Sequence, residues 1–139
     1  MNTYPTVVIT GGTSGLGQLV AIELAKQGAH LVLTARSKTR AETTRKMLES
    51  IAPKTKVDFF FGDLSLMKDV ERIGQEIKGA YPKIDVLVNN AGLHAFEQRI
   101  TSEGFSEMIA VNYLAPWLLT HTLLQSLMKS ENARIVNVA

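Results

Sequence analysis

The sequence predicts an α/β domain: a doubly wound parallel sheet of five strands in the order 3-2-1-4-5, with helices on both faces. Three observations predict it. Strand-like and helix-like segments alternate five times along the 139 residues. The strands read as continuous apolar runs rather than alternating ones, so they are buried on both faces, as in a parallel sheet. The chain opens on a strand, a glycine-rich turn and a helix, Thr6-Val-Val-Ile-Thr-Gly-Gly-Thr-Ser-Gly-Leu-Gly17. Right-handed crossovers then favour the stated order and put a ligand crevice where the order reverses, between strands 1 and 4.

The elements follow in order. Thr6 to Thr10 are all β-branched and form the first strand. From about Gly15 to about Gln27 the spacing is helical, with Leu16, Leu19, Val20 and Leu24 on the apolar stripe, Glu23 its one polar interruption and Gly28 at the C-terminal cap. His30 to Ala35 is the second strand. Ser37 can cap a polar helix that ends near Ser50, and Pro53 and Lys54 mark the turn into the third strand, Lys56 to Phe61. A helix over about Leu66 to Lys78 closes at Gly79, and Pro82 separates it from the fourth strand, Ile84 to Asn89. After a loop of about a dozen residues comes a long uncharged helical stretch, Met108 to Met128, and the last strand is Arg134 to Val138. No linker, repeat or low-complexity segment interrupts this, so residues 1–139 read as one domain.

Composition narrows the function classes. With 45% hydrophobic and 20% charged residues the chain is of ordinary globular type, and a net charge of +2 is too small for a nucleic-acid surface. There is no cysteine, which excludes disulfides, thiolate metal sites and a cysteine nucleophile; no metal site is expected. Met1 to Pro5 lacks a basic region followed by an apolar run, so no secretory signal is read and a cytoplasmic location is expected. Met108 to Met128 contains no Asp, Glu, Lys or Arg, yet Asn112, Pro116, Thr120, His121, Thr122, Gln125 and Ser126 favour a helix buried in protein over a membrane span.

The glycine turn carries the first chemistry. Gly11 allows a tight turn, Gly15 lets backbone approach a diphosphate, and Gly17 lets the helix pack close to its strand. The free N–H groups of the helix's first turn would face the phosphates. A plain turn without ligand is the alternative. The spacing, Thr10-Gly11-x-x-x-Gly15-x-Gly17, is wider than Gly-x-Gly-x-x-Gly, and Asn89-Asn90-Ala91-Gly92 follows it. Together the two motifs resemble those of the short-chain dehydrogenase/reductase family over the whole chain, corresponding to about the first half of that family's catalytic domain. The resemblance implies a Rossmann-type dinucleotide-binding fold, with Thr13, Ser14 and Leu16 joining the three glycines at the cofactor. Leu33-Thr34-Ala35-Arg36 with Arg40-Ala41-Glu42 is most similar to the retinol-dehydrogenase-like branch.

Cofactor choice is read at the end of the second strand, where NAD-binding folds place an acid for the ribose 2′-hydroxyl. Here Ala35 and Arg36 stand there, and no Asp or Glu occurs between Glu23 and Glu42. A guanidinium can hold a 2′-phosphate with paired charge-assisted bonds, and Ser37, Lys38 and Arg40 can add donors, so NADP(H) is favoured over NAD. A solvated arginine opening a polar helix is the plainer reading. Asp63-Leu64 follows the third strand. The resemblance places it against the adenine ring, while Asp63 or Ser65 could equally cap the next helix. Asn90, Ala91 and Gly92 are implied to face the cofactor, and Asn89 to stabilise the sheet. Asn112 resembles the family's active-site Asn, which supports a catalytic water. Pro116, lacking an N–H, leaves the Asn112 carbonyl without its helical donor; a side-chain bond to a neighbouring loop is the plainer alternative. His94 reads as a surface-loop residue, and Trp117 and His121 as packing residues.

Family members use Ser and a Tyr-x-x-x-Lys pair to move hydride between nicotinamide and a carbonyl or alcohol. Tyr4, Tyr81 and Tyr113 are followed four residues on by Val8, Asp85 and Trp117, so no such pair occurs here. The implied function is an NADP(H)-dependent carbonyl/alcohol oxidoreductase truncated after its fifth strand and inactive alone, forming homo-oligomers through the 108–128 helix when the full domain is present. A non-catalytic NADP(H)-binding module or a truncated gene product is the alternative.

Overall fold

The computed structural model describes residues 4–94 and 96–139. Its strands are β1 (Thr6–Ile9), β2 (His30–Ala35), β3 (Val57–Phe61), β4 (Val86–Asn89) and β5 (Arg134–Asn137), all parallel and ordered β3-β2-β1-β4-β5. Between them run α1 (Gly15–Lys26), α2 (Lys38–Ile51), α3 (Met67–Ala80), a three-residue turn α4 (Glu107–Ile109) and α5 (Ala115–Met128). The doubly wound sheet expected from the sequence is therefore present, with its order reversing between β1 and β4.

Alternation along each strand builds two cores. Val8, Val32 and Leu87 point into one, filled by Val70, Ile73 and Ile77 of α3 and by Leu119, Leu123 and Leu127 of α5. Val7, Ile9, Leu31 and Leu33 point into the other, against Ala21 and Ala25 of α1 and Leu48 of α2. Neighbouring residues of each central strand are thus buried on opposite faces, which is why these strands lack a polar side.

Four elements differ from expectation. In α1 the buried face is Gly17, Ala21 and Ala25, whereas Leu16 and Leu19 are 55% and 61% exposed. Small residues let this helix approach the sheet closely, and the leucines turn outward. Helix α3 continues through Gly79 to Ala80; Tyr81, whose N–H bonds the Ile77 carbonyl, and then Pro82 end it. The loop after β4 spans residues 90–106 and ends in a small hairpin, so it is longer than expected. The stretch from 107 to 128 is not one regular helix: a π-helical turn over Ala110–Leu114 separates α4 from α5, with the Ala115 N–H reaching back to the Ala110 carbonyl. It ends two residues before Pro116, whose missing N–H would otherwise interrupt a regular ladder.

Trp117 and His121 do not pack into the core. They lie on the outer face of α5, Trp117 54% exposed, with their rings stacked at 4.1 Å. Ile109, Tyr113, Leu124 and Met128 are exposed along the same helical stretch, and every residue of β5 is exposed. Among the described residues no helix is long and apolar enough to cross a membrane.

Candidate functional site

Parallel strands deliver all their following loops to one edge of the sheet, and there the loops after β1, β2, β3 and β4 enclose a cleft of about 850 Å³, within the range of cofactor sites. Gly11, Thr13, Ser14 and Leu16 line its centre. Ala35, Arg36 and Ser37 line the β2 end, Asp63 and Leu64 the β3 end, and Asn90, Ala91 and Gly92 the β4 side. Eleven of the thirteen residues singled out as cofactor-facing therefore share one cavity. The remaining two are Gly15 and Gly17. Gly15 sits in a left-handed conformation, φ +54°, on the exposed turn between Ser14 and Leu16, and a Cβ there would meet no atom within 4 Å. Gly17 lies beneath, where a Cβ would overlap the Gly11 carbonyl oxygen and Asn90 Nδ2.

The glycine turn is held from below by hydroxyls and one amide. Thr10 Oγ1 accepts the N–H groups of Asn90 and Ala91, each at 3.0 Å, and Thr34 Oγ1 accepts that of Gly11 at 3.3 Å. Asn90 Nδ2 donates to the Thr10 and Gly11 carbonyls at 3.2 and 3.3 Å. Gly11 itself has φ +70° and approaches Ala91, so the loops after β1 and β4 are joined side by side. Ser14 is the extended N-cap residue of α1, and its side chain makes no cap bond. The first-turn N–H groups, without helical acceptors, consequently open towards the cleft with the positive end of the helix dipole.

At the β2 end, Ser37 Oγ accepts the Arg40 N–H at 3.2 Å and caps α2 as expected. The Arg36 side chain is 78% exposed and lies 3.8 Å from Asp63 Oδ2. Asp63 does not cap α3, and neither does Ser65. Instead, Asp63 Oδ1 accepts both the N–H and the hydroxyl of Ser65, at 2.9 and 2.7 Å. Burial pushes the Asp63 carboxyl up, but those two bonds and the Arg36 charge outweigh it and hold the group below the usual aspartate range. The site therefore keeps an ionised carboxylate beside an arginine at its mouth.

Asn89 extends the sheet's bonding through its side chain, donating from Nδ2 to Asn137 Oδ1 at 2.9 Å and Thr120 Oγ1 at 3.2 Å. Asn112 lies outside the cleft lining but grips it: its Oδ1 accepts the Leu93 N–H and its Nδ2 donates to the Leu93 carbonyl, both at 2.7 Å. The loop-bonding alternative for this side chain is thus the one observed. Its backbone carbonyl has no donor in Pro116, which leaves that atom's own role separate from the side chain's. His94 is exposed on the loop, edge-on to Phe96 at 5.2 Å. Among the described residues, no group of three or more His, Cys, Asp or Glu could hold a metal ion.

Several residues of the site carry no motif that isolates them. Thr10 and Thr34 stand inside the segments Thr10-Gly11-x-x-x-Gly15-x-Gly17 and Leu33-Thr34-Ala35-Arg36, but nothing there isolates their hydroxyls as the acceptors that tie the loops together. Leu93, Glu107 and Val111 join the lining through a long loop and a helix far along the chain.

The profile of the short chain dehydrogenases matches residues 5–139. The chain belongs to the short-chain dehydrogenase/reductase family. Among its family relatives, dehydrogenase/reductase SDR family member 13 of Bos taurus is 36% identical over 134 residues, 96% of this chain and 35% of the relative. Retinol dehydrogenase 13 of Mus musculus is 32% identical over 136 residues, 96% of this chain and 40% of the relative. The chain thus spans well under half the length of these curated relatives. A metagenomic short-chain oxidoreductase solved in complex with NADP superimposes with a TM-score of 0.83 at 28% identity, covering 97% of this chain and 61% of that one. The Rossmann-type architecture of that oxidoreductase is therefore shared along essentially the whole chain.

Proposed function

We propose that this chain is the cofactor-binding part of an NADP(H)-dependent oxidoreductase that interconverts a carbonyl and an alcohol. The observation that carries the cofactor choice is Arg36, a guanidinium on the cleft at the end of β2 where an NAD-selecting fold would present a carboxylate. A 2′-phosphate would lie against Arg36, with the Ser37 hydroxyl and the Arg40 side chain as further donors at the same end. NADP in the metagenomic relative supports the same choice.

Thr13, Ser14, Gly15 and Leu16 are assigned to the diphosphate, which the uncapped start of α1 suits electrostatically. Gly11 and Gly17 shape that turn from beneath. Asp63 and Leu64 are assigned to the adenine, and Asn90, Ala91 and Gly92 to the nicotinamide side. When bound, the nicotinamide supplies or accepts the hydride. Asn112 is assigned a double part: its side chain fixes Leu93 at the cleft, and its carbonyl holds a water for proton delivery.

The test compares NADPH and NADH binding by the protein and its Arg36→Ala variant. Hydrogen bonds to a charged group contribute about 1.5–3 kcal/mol, so NADPH affinity should fall about tenfold to a hundredfold while NADH affinity barely moves. Equal losses for the two cofactors would overturn the assignment.

A further inference from the structure

Helix α3 takes its N-terminal cap from a residue far along the chain. Leu66, at the cap position, offers no side-chain bond. Glu103 does so instead: its Oε1 accepts the Met67 N–H at 2.6 Å and its Oε2 the Lys68 N–H at 3.1 Å. A carboxylate there satisfies two of the helix's unpaired donors and meets the positive end of its dipole.

Glu103 rides on a small hairpin. Ile100 and Ser106 form an antiparallel bridge, the Thr101 N–H donates to the Phe105 carbonyl at 2.7 Å and the Glu107 N–H to the Arg99 carbonyl at 2.8 Å. Gly104, with φ +86°, makes the turn beside Glu103. One leg of this hairpin ends at Glu107, which with Val111 forms one wall of the cleft. The helix that Glu103 caps begins at Met67, just past Asp63, Leu64 and Ser65, which line the same cleft. That segment is itself tightly bonded, Leu66 N–H to the Asp63 carbonyl at 3.0 Å and Asp63 N–H to Asp69 Oδ2 at 2.8 Å, so it moves with the start of α3.

We propose that Glu103 is a positioning residue for the adenine end of the cleft: the 99–107 hairpin clamps the wall carrying Asp63 and Leu64 to the wall carrying Glu107 and Val111, and so sets the gap between them. This rests on the assignment of Asp63 and Leu64 to the adenine. Without the carboxylate, the first turn of α3 frays and the two walls part. Glutamine at the same position keeps one acceptor oxygen but loses the charge, so its effect falls between.

The test uses Glu103→Ala and Glu103→Gln in the full protein, with two readouts. Amide hydrogen exchange at Met67 and Lys68 reports the clamp without any ligand. Calorimetric binding of adenosine 2′,5′-bisphosphate, which carries the adenine and the 2′-phosphate but no nicotinamide, reports the gap. In Glu103→Ala, exchange at both amides should rise about tenfold and the dissociation constant should rise about tenfold, as expected for loss of a charged cap. Glu103→Gln should recover part of both. Faster exchange with unchanged affinity would overturn the proposal and leave Glu103 a stability cap only. Unchanged exchange would overturn the clamp itself. Failure of the unsubstituted protein to bind the bisphosphate would overturn the adenine assignment, and the exchange rates tell that failure apart from failure of the clamp.

Discussion

Gly15 and Gly17 stand two residues apart, and alanine at each should act in a different way, at Gly15 chiefly on cofactor binding and at Gly17 chiefly on stability. At Gly15 the backbone is left-handed and the space around a new Cβ is empty. In the cofactor-free protein Gly15→Ala therefore costs only the conformational strain, about 1–2 kcal/mol, or about 3–6 °C in Tm for a domain of this size. Gly17 lies in regular helix, where alanine gains about 1 kcal/mol of propensity. Its Cβ, however, would overlap the Gly11 carbonyl oxygen and Asn90 Nδ2, neither of which can yield easily. Overpacking costs about 1–3 kcal/mol, and displacing Asn90 breaks its bonds to the Thr10 and Gly11 carbonyls at about 1 kcal/mol each. The net loss is about 2–4 kcal/mol, so Gly17→Ala should lower Tm by about 6–12 °C. NADPH at a hundredfold excess over its dissociation constant should raise the Tm of the unsubstituted protein by about 8 °C, from about 2.7 kcal/mol of binding. Gly15→Ala should lose most of that increment while staying folded, because the methyl occupies the space assigned to the diphosphate. Gly15→Asn, which tolerates the left-handed conformation better, should lose it too with less strain. Thermal unfolding with and without NADPH measures all of this. Retention of the full increment by Gly15→Ala would refute the placement of the diphosphate over the turn, and a Gly17→Ala protein as stable as the parent would refute the close approach of α1 to Asn90.

Two further outcomes are expected. Burial pushes the Asp85 carboxyl up, but the Ser130 hydroxyl at 2.6 Å, the Thr6 N–H at 2.8 Å and the Lys83 charge hold it below the usual aspartate range. Because its folded pKa is the lower one, its contribution is complete above the unfolded value of about 3.9 and is lost as pH falls below that and through the folded value. Urea midpoints should therefore separate the protein from Asp85→Asn at pH 7 and bring the two closer at pH 3; an equal gap at both would refute this. Asn112→Ala removes both bonds to Leu93 and should cost about 1–2 kcal/mol in chemical denaturation, and Asn112→Asp, whose carboxylate would face the Leu93 carbonyl, should not restore it. A fully stable Asn112→Asp protein would refute the two-bond grip.

Much of the site was legible because its residues sit at strand ends. Once the strands are parallel, everything just after a strand must gather at one edge, so Gly11, Arg36, Asp63 and Asn90 share that edge by their places at strand ends. The adenine role of Asp63 and the cofactor-facing role of Asn90 are what the family resemblance implies. Where the reading departed from the structure, the local pattern was ambiguous. Leu16 and Leu19 have helical spacing, but so do Gly17, Ala21 and Ala25, and only the sheet's demand for close approach chooses the smaller set. Trp117 and His121 sit in an uncharged stretch whose residues alone do not say which side meets the core. Asp63 and Ser65 have cap-forming side chains at the right offset, yet they bond each other.

The sequence by itself determined the parallel sheet, its strand order and the edge where the cleft opens, because hydrophobic period, glycine and proline placement and the handedness of crossovers all act over short stretches. Tertiary structure alone decided which groups complete the cleft. Thr10 meets Asn90 across 80 positions, and Glu103 meets Met67 across 36. A hydroxyl or carboxylate can satisfy any donor within about 3 Å, and no spacing in the chain records which donor the folded backbone will bring there.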